Sequence, residues 1–178
     1  MTDSLFFDTD CISAFLWVGE ESLLSKMYCG KIVIPQEVYS ELSNPHISHL
    51  KARVDQMIAS GAAEITQISV DSNEFKTYSK LALEVNPSVK LIGKGEAACI
   101  ALAKESGGVL ASNNLRDISQ YIAEYGLEHV TTGDILLQAL SDGFITQSEG
   151  ETIWGNMIAK RRKLGFNTFA EYIAKNKT

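Results

Sequence analysis

The chain has 178 residues, of which 45% are apolar and 21% are charged. These fractions exclude a disordered, collagen-like or coiled-coil chain and favour a globular fold. With 16 Lys and Arg against 22 Asp and Glu, the net charge is −6, which argues against nucleic-acid binding by bulk electrostatics alone. A local basic patch or a bound cation can still reverse the field at one site.

The N-terminal segment and the cysteines favour a location in the reducing cytoplasm. The segment MTDSLFF lacks the basic and long apolar parts of a signal peptide, and no apolar run reaches the roughly 18 residues of a membrane span. Cys11, Cys29 and Cys99 are widely spaced, have apolar neighbours and are too few for a disulfide framework. We therefore expect a cytoplasmic protein without a membrane association, with reduced, buried cysteines.

Short apolar runs alternate along the chain with segments of helical period. The runs predict strands at Leu5–Phe7, Ile32–Ile34, Glu64–Ile68, Val109–Ala111 and His129–Thr131. A first helix is predicted after the first strand, with Ile12, Phe15, Leu16 and Leu23 on one face, and a second is predicted to begin at Pro35. Further helices are predicted at Gly95–Ser106, Leu115–Tyr125 and Ile135–Leu140. Residues 44–60 and 70–94 favour helices with loop breaks.

The alternation of strand and helix predicts an α/β fold with a central, mostly parallel five-stranded sheet and helices on both faces. We expect residues 1–142 to form this domain and residues 143–178 to form a helical extension packed on it. The extension reads as two helices separated at Gly165. Its basic cluster Lys160–Lys163 is typical of a solvated helix face, with contact to nucleic acid as the alternative.

Four acidic residues occupy positions that a parallel sheet brings toward one edge. Asp8 directly follows the first strand and Asp117 lies a few residues past the fourth. Glu96 begins the helix after the Gly93–Gly95 turn, and Glu41 lies about two turns into the helix after the second strand. Ligands of open α/β sheets gather at the carboxyl ends of the strands, so we expect these acids to form one site.

A cluster of four carboxylates must raise its pKa values or hold a cation. Carboxylate oxygens with open coordination positions suit Mg²⁺ or Mn²⁺. These metals activate water and neutralise the charge that develops on a phosphoryl group. A nuclease follows naturally from such a site.

The order of these residues resembles the PIN-domain ribonucleases. The matching motifs are FFDTD with Asp8, VYSEL with Glu41, GKGEAACIALA with Glu96 and ASNNLRDI with Asp117. More narrowly, the chain resembles the VapC-like toxins of toxin–antitoxin pairs over about residues 3–142, in a subgroup with extra C-terminal helices. The resemblance implies a PIN-like three-layer α/β/α fold, RNA as substrate, a protein antitoxin as partner and often a homodimer.

The resemblance also implies roles for particular residues. Asp8, Glu96 and Asp117 would hold Mg²⁺ or Mn²⁺, directly or through water, and Glu41 would complete the catalytic, anionic pocket. The residues expected to orient ligands or contact RNA are Thr9, Ser112, Asn114, Arg116 and Lys94. Many PIN domains carry a further Asp where this chain has Asn114, so a second metal would be held by one fewer charge.

Two other functions are consistent with parts of the sequence. The motif FFDTD also resembles the strand-end Asp-x-Asp of haloacid-dehalogenase-type phosphohydrolases, with Asp8 as nucleophile and Asp10 as acid. That hypothesis leaves Glu41 and Glu96 unexplained. Alternatively, Asn114 and the acidic overall charge fit a catalytically weak PIN module that binds RNA or a protein. The other prominent polar residues, His46, His49 and His129, are interpreted as surface or structural residues.

Overall fold

The computed structural model describes residues 4–84 and 91–176, and within them the chain forms a five-stranded sheet in which every pairing is parallel. The strand order is β3-β2-β1-β4-β5. The strands are β1 (Leu5–Phe7), β2 (Ile32–Pro35), β3 (Ala63–Thr66), β4 (Val109–Ala111) and β5 (Glu128–Val130).

Ten α-helices, counted within the described residues, flank this sheet in a three-layer α/β/α arrangement, as predicted. They are α1 (Thr9–Val18), α2 (Glu21–Met27), α3 (Gln36–Leu42), α4 (Ser48–Ala59), α5 (Asn73–Ala82), α6 (Lys94–Ser106), α7 (Leu115–Tyr125), α8 (Thr132–Ser141), α9 (Gln147–Ala159) and α10 (Phe169–Asn176). A short 3₁₀ helix, Pro45–Ile47, precedes α4. No helix within residues 4–84 or 91–176 combines the length and the apolar character that a bilayer crossing requires.

The central strand β1 is buried at all three positions, as expected for a parallel strand covered on both faces. Its Phe6 pairs with Val33 of β2 on one side and with Leu110 of β4 on the other. From β1, the strands β2 and β3 follow on one side of the sheet, and β4 and β5 follow on the other side. The reversal lies between β1 and β4, and a crevice at the carboxyl ends of such strands is where open α/β sheets bind ligands.

The boundaries of several predicted strands and helices differ from those in the structure. Strand β3 ends at Thr66 rather than Ile68, and β5 ends at Val130 rather than Thr131, because the pairing register of a neighbouring strand ends there. Gly19 ends α1 in a left-handed conformation with φ 78°, which places Leu23 on a separate helix, α2. Part of the uncertain segment 70–94, residues 85–90, lies outside the described residues.

Two further predictions are wrong. The basic cluster Lys160–Lys163 does not lie on a helix face, because α9 ends at Ala159 and the next helix begins only at Phe169. Arg161 has a positive φ of 59°, which is incompatible with helix continuation. Cys29 is exposed rather than buried, since it lies in the turn after α2, whereas the other two cysteines are buried.

The C-terminal helices pack against the layer formed by α1 and α8. Helix α9 contacts both of these helices, and α10 contacts α8 and α9. Trp154 of α9 is fully buried, and its ring lies 5.7 Å from that of Phe169 and 5.3 Å from that of Tyr172. Trp154 is therefore a packing residue. The division of the chain at residue 142 stays a prediction.

Candidate functional site

Asp8 lies at the carboxyl end of the central strand and is the N-cap of α1. It is 1% exposed, and both of its carboxylate oxygens accept hydrogen bonds. The backbone N–H of Cys11 donates to Oδ1 over 2.7 Å, and the Ser112 hydroxyl donates to Oδ2. Ser112 directly follows β4, so the two strands that border the sheet reversal jointly hold this carboxylate.

Burial raises the pKa of Asp8 from 3.8 to about 7. The hydrogen bonds from Ser112 and Cys11 favour the ionised form and lower this pKa, whereas the charges of Asp10 and Glu96 raise it further. A carboxylate with a pKa near neutrality lacks a compensating positive charge. A cation placed beside it would stabilise its ionised form.

The side chain of Asn114 bridges two other carboxylates. Its Nδ2 donates to Oε1 of Glu96 and, over 3.0 Å, to Oδ2 of Asp117. Its backbone N–H donates to the Ser112 hydroxyl oxygen over 3.2 Å. Glu96 also accepts from the backbone N–H of Gly93, at the start of α6, over 3.2 Å. Through its side chain and its backbone, Asn114 therefore connects the first turns of α6 and α7 with Ser112, the residue that donates to Asp8.

Glu41 joins the same group from α3. The Thr9 hydroxyl donates to its Oε2, and the backbone N–H of Gly95 donates to its Oε1 over 3.1 Å. A Cβ at position 95 would lie 3.0 Å from Oε1 of Glu41 and 3.1 Å from Cγ2 of Val38. Glycine at this position therefore lets α6 approach α3 closely enough for its first turn to donate to Glu41.

These contacts form a closed ring, because Thr9 follows Asp8 and Gly95 precedes Glu96 in the chain. We call the four acids and their connecting residues the carboxylate cluster. Its members are Asp8, Thr9, Glu41, Gly95, Glu96, Ser112, Asn114 and Asp117. The structure thus brings all four sequence-predicted acids into one connected group at the sheet reversal.

The oxygen ligands of the carboxylate cluster are of the type that a hard cation prefers, but their side chains are not spaced to hold one. It offers carboxylate oxygens, which Mg²⁺ and Mn²⁺ prefer. Across residues 4–84 and 91–176, however, no three His, Cys, Asp or Glu side chains lie close enough to hold a metal ion as placed. The Asn114 amide stands between Glu96 and Asp117, where it links two carboxylates that a cation could otherwise bridge.

The other sequence-predicted residues lie around the carboxylate cluster. Lys94 and Arg116 are exposed, next to Gly95 and Asp117 in the chain. Lys94 lines a pocket of about 470 Å³ that Glu41 also lines. Asp10 is exposed on the first turn of α1.

Two further residues support the site: Asn113, to which the sequence analysis gave no role, and His129, which it interpreted as structural. Asn113 accepts from the backbone N–H of Thr132 over 2.9 Å and donates to its hydroxyl over 2.8 Å, which joins the β4–α7 turn to the start of α8. His129 bonds through Nε2 to the carbonyl oxygen of Ser112 over 2.8 Å. The doubled Asn in the SNN motif was the available signal for Asn113. The position of His129 depends on the pairing of β4 with β5, which the sequence does not display.

A comparison with family models matches residues 4–177 to the family DUF3368, described as a PIN domain. Neither the search of curated proteins nor the search of solved structures returned a significant match.

Proposed function

The chain belongs to the PIN-domain family, and on that premise we propose that it is a metal-dependent endoribonuclease that hydrolyses RNA phosphodiester bonds. PIN domains are generally nucleases. The observation that supports the proposal best is the carboxylate cluster, in which a fully buried Asp8 with a raised pKa stands at the sheet reversal beside other acids. A purely structural role does not require acids to be gathered in this way.

We assign the metal to Asp8, Glu96 and Asp117, with Mg²⁺ or Mn²⁺ as the expected ion. When bound, such an ion lowers the pKa of an attacking water and neutralises charge that develops on the phosphoryl group. Glu41 completes the anionic pocket, and Thr9 holds the Glu41 side chain through its hydroxyl. For Glu96 and Asp117 to hold the ion, the Asn114 amide would have to release their oxygens and would then be free to contact the RNA.

Ser112 has a positioning role in the proposed mechanism. Its hydroxyl donates to Asp8 and its oxygen accepts from the backbone of Asn114, so it fixes the two residues relative to each other. Lys94 and Arg116 are exposed cations beside the cluster and are proposed to contact RNA phosphates. Their charges offset part of the repulsion between the acidic cluster and RNA.

A second candidate function, a PIN module that binds RNA or protein without cutting, is favoured by one observation. The Asn114 amide donates to both Glu96 and Asp117, two of the carboxylates assigned to the metal. Against it, the buried Asp8 with its raised pKa is costly to keep in a site that only binds. The phosphohydrolase hypothesis is weaker still, because Asp10 is exposed and both oxygens of Asp8 accept hydrogen bonds.

The finer roles are proposals that rest on the resemblance to VapC-like toxins. They are a toxin function in the cytoplasm, a protein antitoxin as partner and a homodimer as the assembly. Expression of the wild-type chain in a bacterial host without any antitoxin should then arrest growth, and expression of Asp8→Asn should not. Equal growth of the two cultures at equal protein levels would contradict the toxin role.

The nuclease proposal is tested by incubating the purified protein with a panel of structured and unstructured RNAs, in Mn²⁺, in Mg²⁺ and in EDTA. We expect cleavage with either metal and none in EDTA. Retained binding of intact RNA in both metals would favour the binding module. Cleavage that persists in EDTA would contradict the metal assignment.

A further inference from the structure

A second cavity lies beside the carboxylate cluster, on the side of the C-terminal helices. It has a volume of about 330 Å³ and lies between the start of α7, the β5–α8 turn and the chain segment that precedes α10. We call it the flank cavity. Residues that matter for its chemistry are Asn113, Leu115, His129, Lys163, Leu164 and Phe166.

The flank cavity lies next to the carboxylate cluster, although none of the described residues that line it belongs to the cluster. Leu115 follows Asn114, whose amide bridges two of the acids, and is 47% exposed although it is a large apolar residue. His129 contacts the cavity and bonds to the carbonyl oxygen of Ser112, the residue that donates to Asp8. Leu115 and His129 thus place the flank cavity beside residues that contact the carboxylate cluster.

The walls of the flank cavity combine apolar surface with one exposed cation. Leu115, Leu164 and the ring of Phe166 supply the apolar part, and Lys163 supplies the charge. The acid that also lines the cavity, Asp134, is already engaged, because it accepts from the Thr131 backbone N–H and hydroxyl and from the Tyr172 hydroxyl. The cavity therefore offers an apolar surface to a flat ring and, in Lys163, one cation to an anionic group.

The far wall of the flank cavity is held in place by the C-terminal helices. The carbonyl oxygen of Phe166 accepts from Nε1 of the buried Trp154 over 3.2 Å. The Phe166 ring stands at 89° to the ring of Tyr172, with centroids 5.5 Å apart. This wall is preformed, so a ligand can bind without first ordering a loop.

We propose that the flank cavity holds one unpaired base of the RNA substrate, from the nucleotide next to the scissile phosphate, with its phosphate near Lys163. The inference rests on the proposed nuclease function and extends it to the substrate class. A volume near the lower end of the roughly 300–1,000 Å³ of ligand pockets admits one base and not a base pair. Aromatic and apolar side chains that stack an unstacked base are the usual means of recognising single-stranded RNA.

The test measures binding rather than cleavage, so that it does not depend on turnover. The full-length Asp8→Asn protein, which lacks an assigned metal ligand, is titrated in EDTA against fluorescent single-stranded RNA oligomers in which one abasic nucleotide is moved along the chain. We expect one position at which the abasic nucleotide weakens the Kd about tenfold, because stacking of that base is lost. In Asp8→Asn/Leu115→Ala the same abasic nucleotide should weaken the Kd clearly less than tenfold, since Leu115 supplies part of the stacking surface.

The chain offers a matched control in Leu83, which is 45% exposed and does not line the flank cavity. Asp8→Asn/Leu83→Ala should retain the tenfold sensitivity. Asp8→Asn/Lys163→Gln should weaken binding of every oligomer and reduce the salt dependence by about one phosphate contact.

The outcomes separate this inference from the nuclease proposal. The absence of any sensitive position, or equal sensitivity with Leu115→Ala and Leu83→Ala, overturns the base subsite even if the wild-type protein cuts RNA. A position whose sensitivity falls only with Leu115→Ala supports the subsite, and failure of the wild type to cut the same oligomers then counts against the nuclease proposal alone.

Discussion

Replacement of Asp8 by Asn should make the metal-free protein more stable at pH 8. The pKa of Asp8 rises from 3.8 to about 7 on folding, chiefly because the carboxyl group is buried. Well below pH 3.8 the group is protonated in both states and contributes no difference. As the pH rises toward 7 the unfolded chain loses this proton first, so the folded state becomes progressively less stable.

The magnitude follows from the same values. Each pKa unit corresponds to about 1.4 kcal/mol, so the ionised Asp8 costs the folded protein about 4 kcal/mol above pH 7. This is a large part of the 5–15 kcal/mol by which a typical domain is stable. Asn carries no charge, and its side chain can accept from the Cys11 N–H and donate to the Ser112 hydroxyl oxygen, so neither hydrogen bond need be lost.

The assay is urea unfolding in EDTA at pH 4 and pH 8, with the free energies of unfolding compared for wild type and Asp8→Asn. We expect the variant to be more stable by up to about 4 kcal/mol at pH 8 and by much less at pH 4. Asp10→Asn is the control, and since that side chain is exposed it should change stability by less than about 0.5 kcal/mol. A variant that is equally stable or less stable than wild type at pH 8 would refute the reasoning.

Three further predictions concern the metal, the cluster and the C-terminal helices. Mn²⁺ must displace the proton of Asp8 below its pKa of about 7, so calorimetry should find an affinity that tightens from pH 6 to pH 7 and levels off above it. Gly95→Ala places a Cβ 3.0 Å from Oε1 of Glu41, so kinetic assays should find RNA cleavage slowed about tenfold or more. Gly133→Ala places a Cβ 2.4 Å from the Tyr172 ring, so urea unfolding should show a loss of about 1–3 kcal/mol.

Each of these predictions has a distinct refutation. An Mn²⁺ affinity that is flat from pH 6 to pH 8 would show that Asp8 is not a ligand. Wild-type cleavage rates in Gly95→Ala would show that the close approach of α6 to Glu41 is not needed. Gly155→Ala is the control for Gly133→Ala, because a Cβ there meets nothing within 4 Å and should leave stability equal or higher. Equal effects of these two alanines would refute the packing argument.

The sheet and the placement of the acids could be predicted from sequence because they depend on short-range patterns. Apolar runs marked all five strands, and strand ends placed Asp8 and Asp117 at one edge of the sheet. The errors concern where elements end. A neighbouring strand sets the ends of β3 and β5, and a positive φ angle ends the helical conformation at Gly19 and Arg161.

The connections within the site could not be predicted in the same way. The resemblance assigns Asn114 to orienting ligands or contacting RNA, but its bridge between Glu96 and Asp117 depends on how α6 meets α7. The flank cavity is still harder to predict from the sequence. It joins Leu115 to Phe166, which are far apart in the chain, and it exists because the C-terminal helices dock on α8.

The most direct test of the central claim compares single-turnover RNA cleavage in saturating Mn²⁺ by wild type, Asp8→Asn and Asp10→Asn. The claim is that the buried carboxylate at the sheet reversal binds the cation that hydrolysis requires. We predict that Asp8→Asn cleaves at least about a hundredfold more slowly while remaining folded, and that Asp10→Asn stays within about threefold of wild type. Cleavage by folded Asp8→Asn at the wild-type rate would contradict the claim.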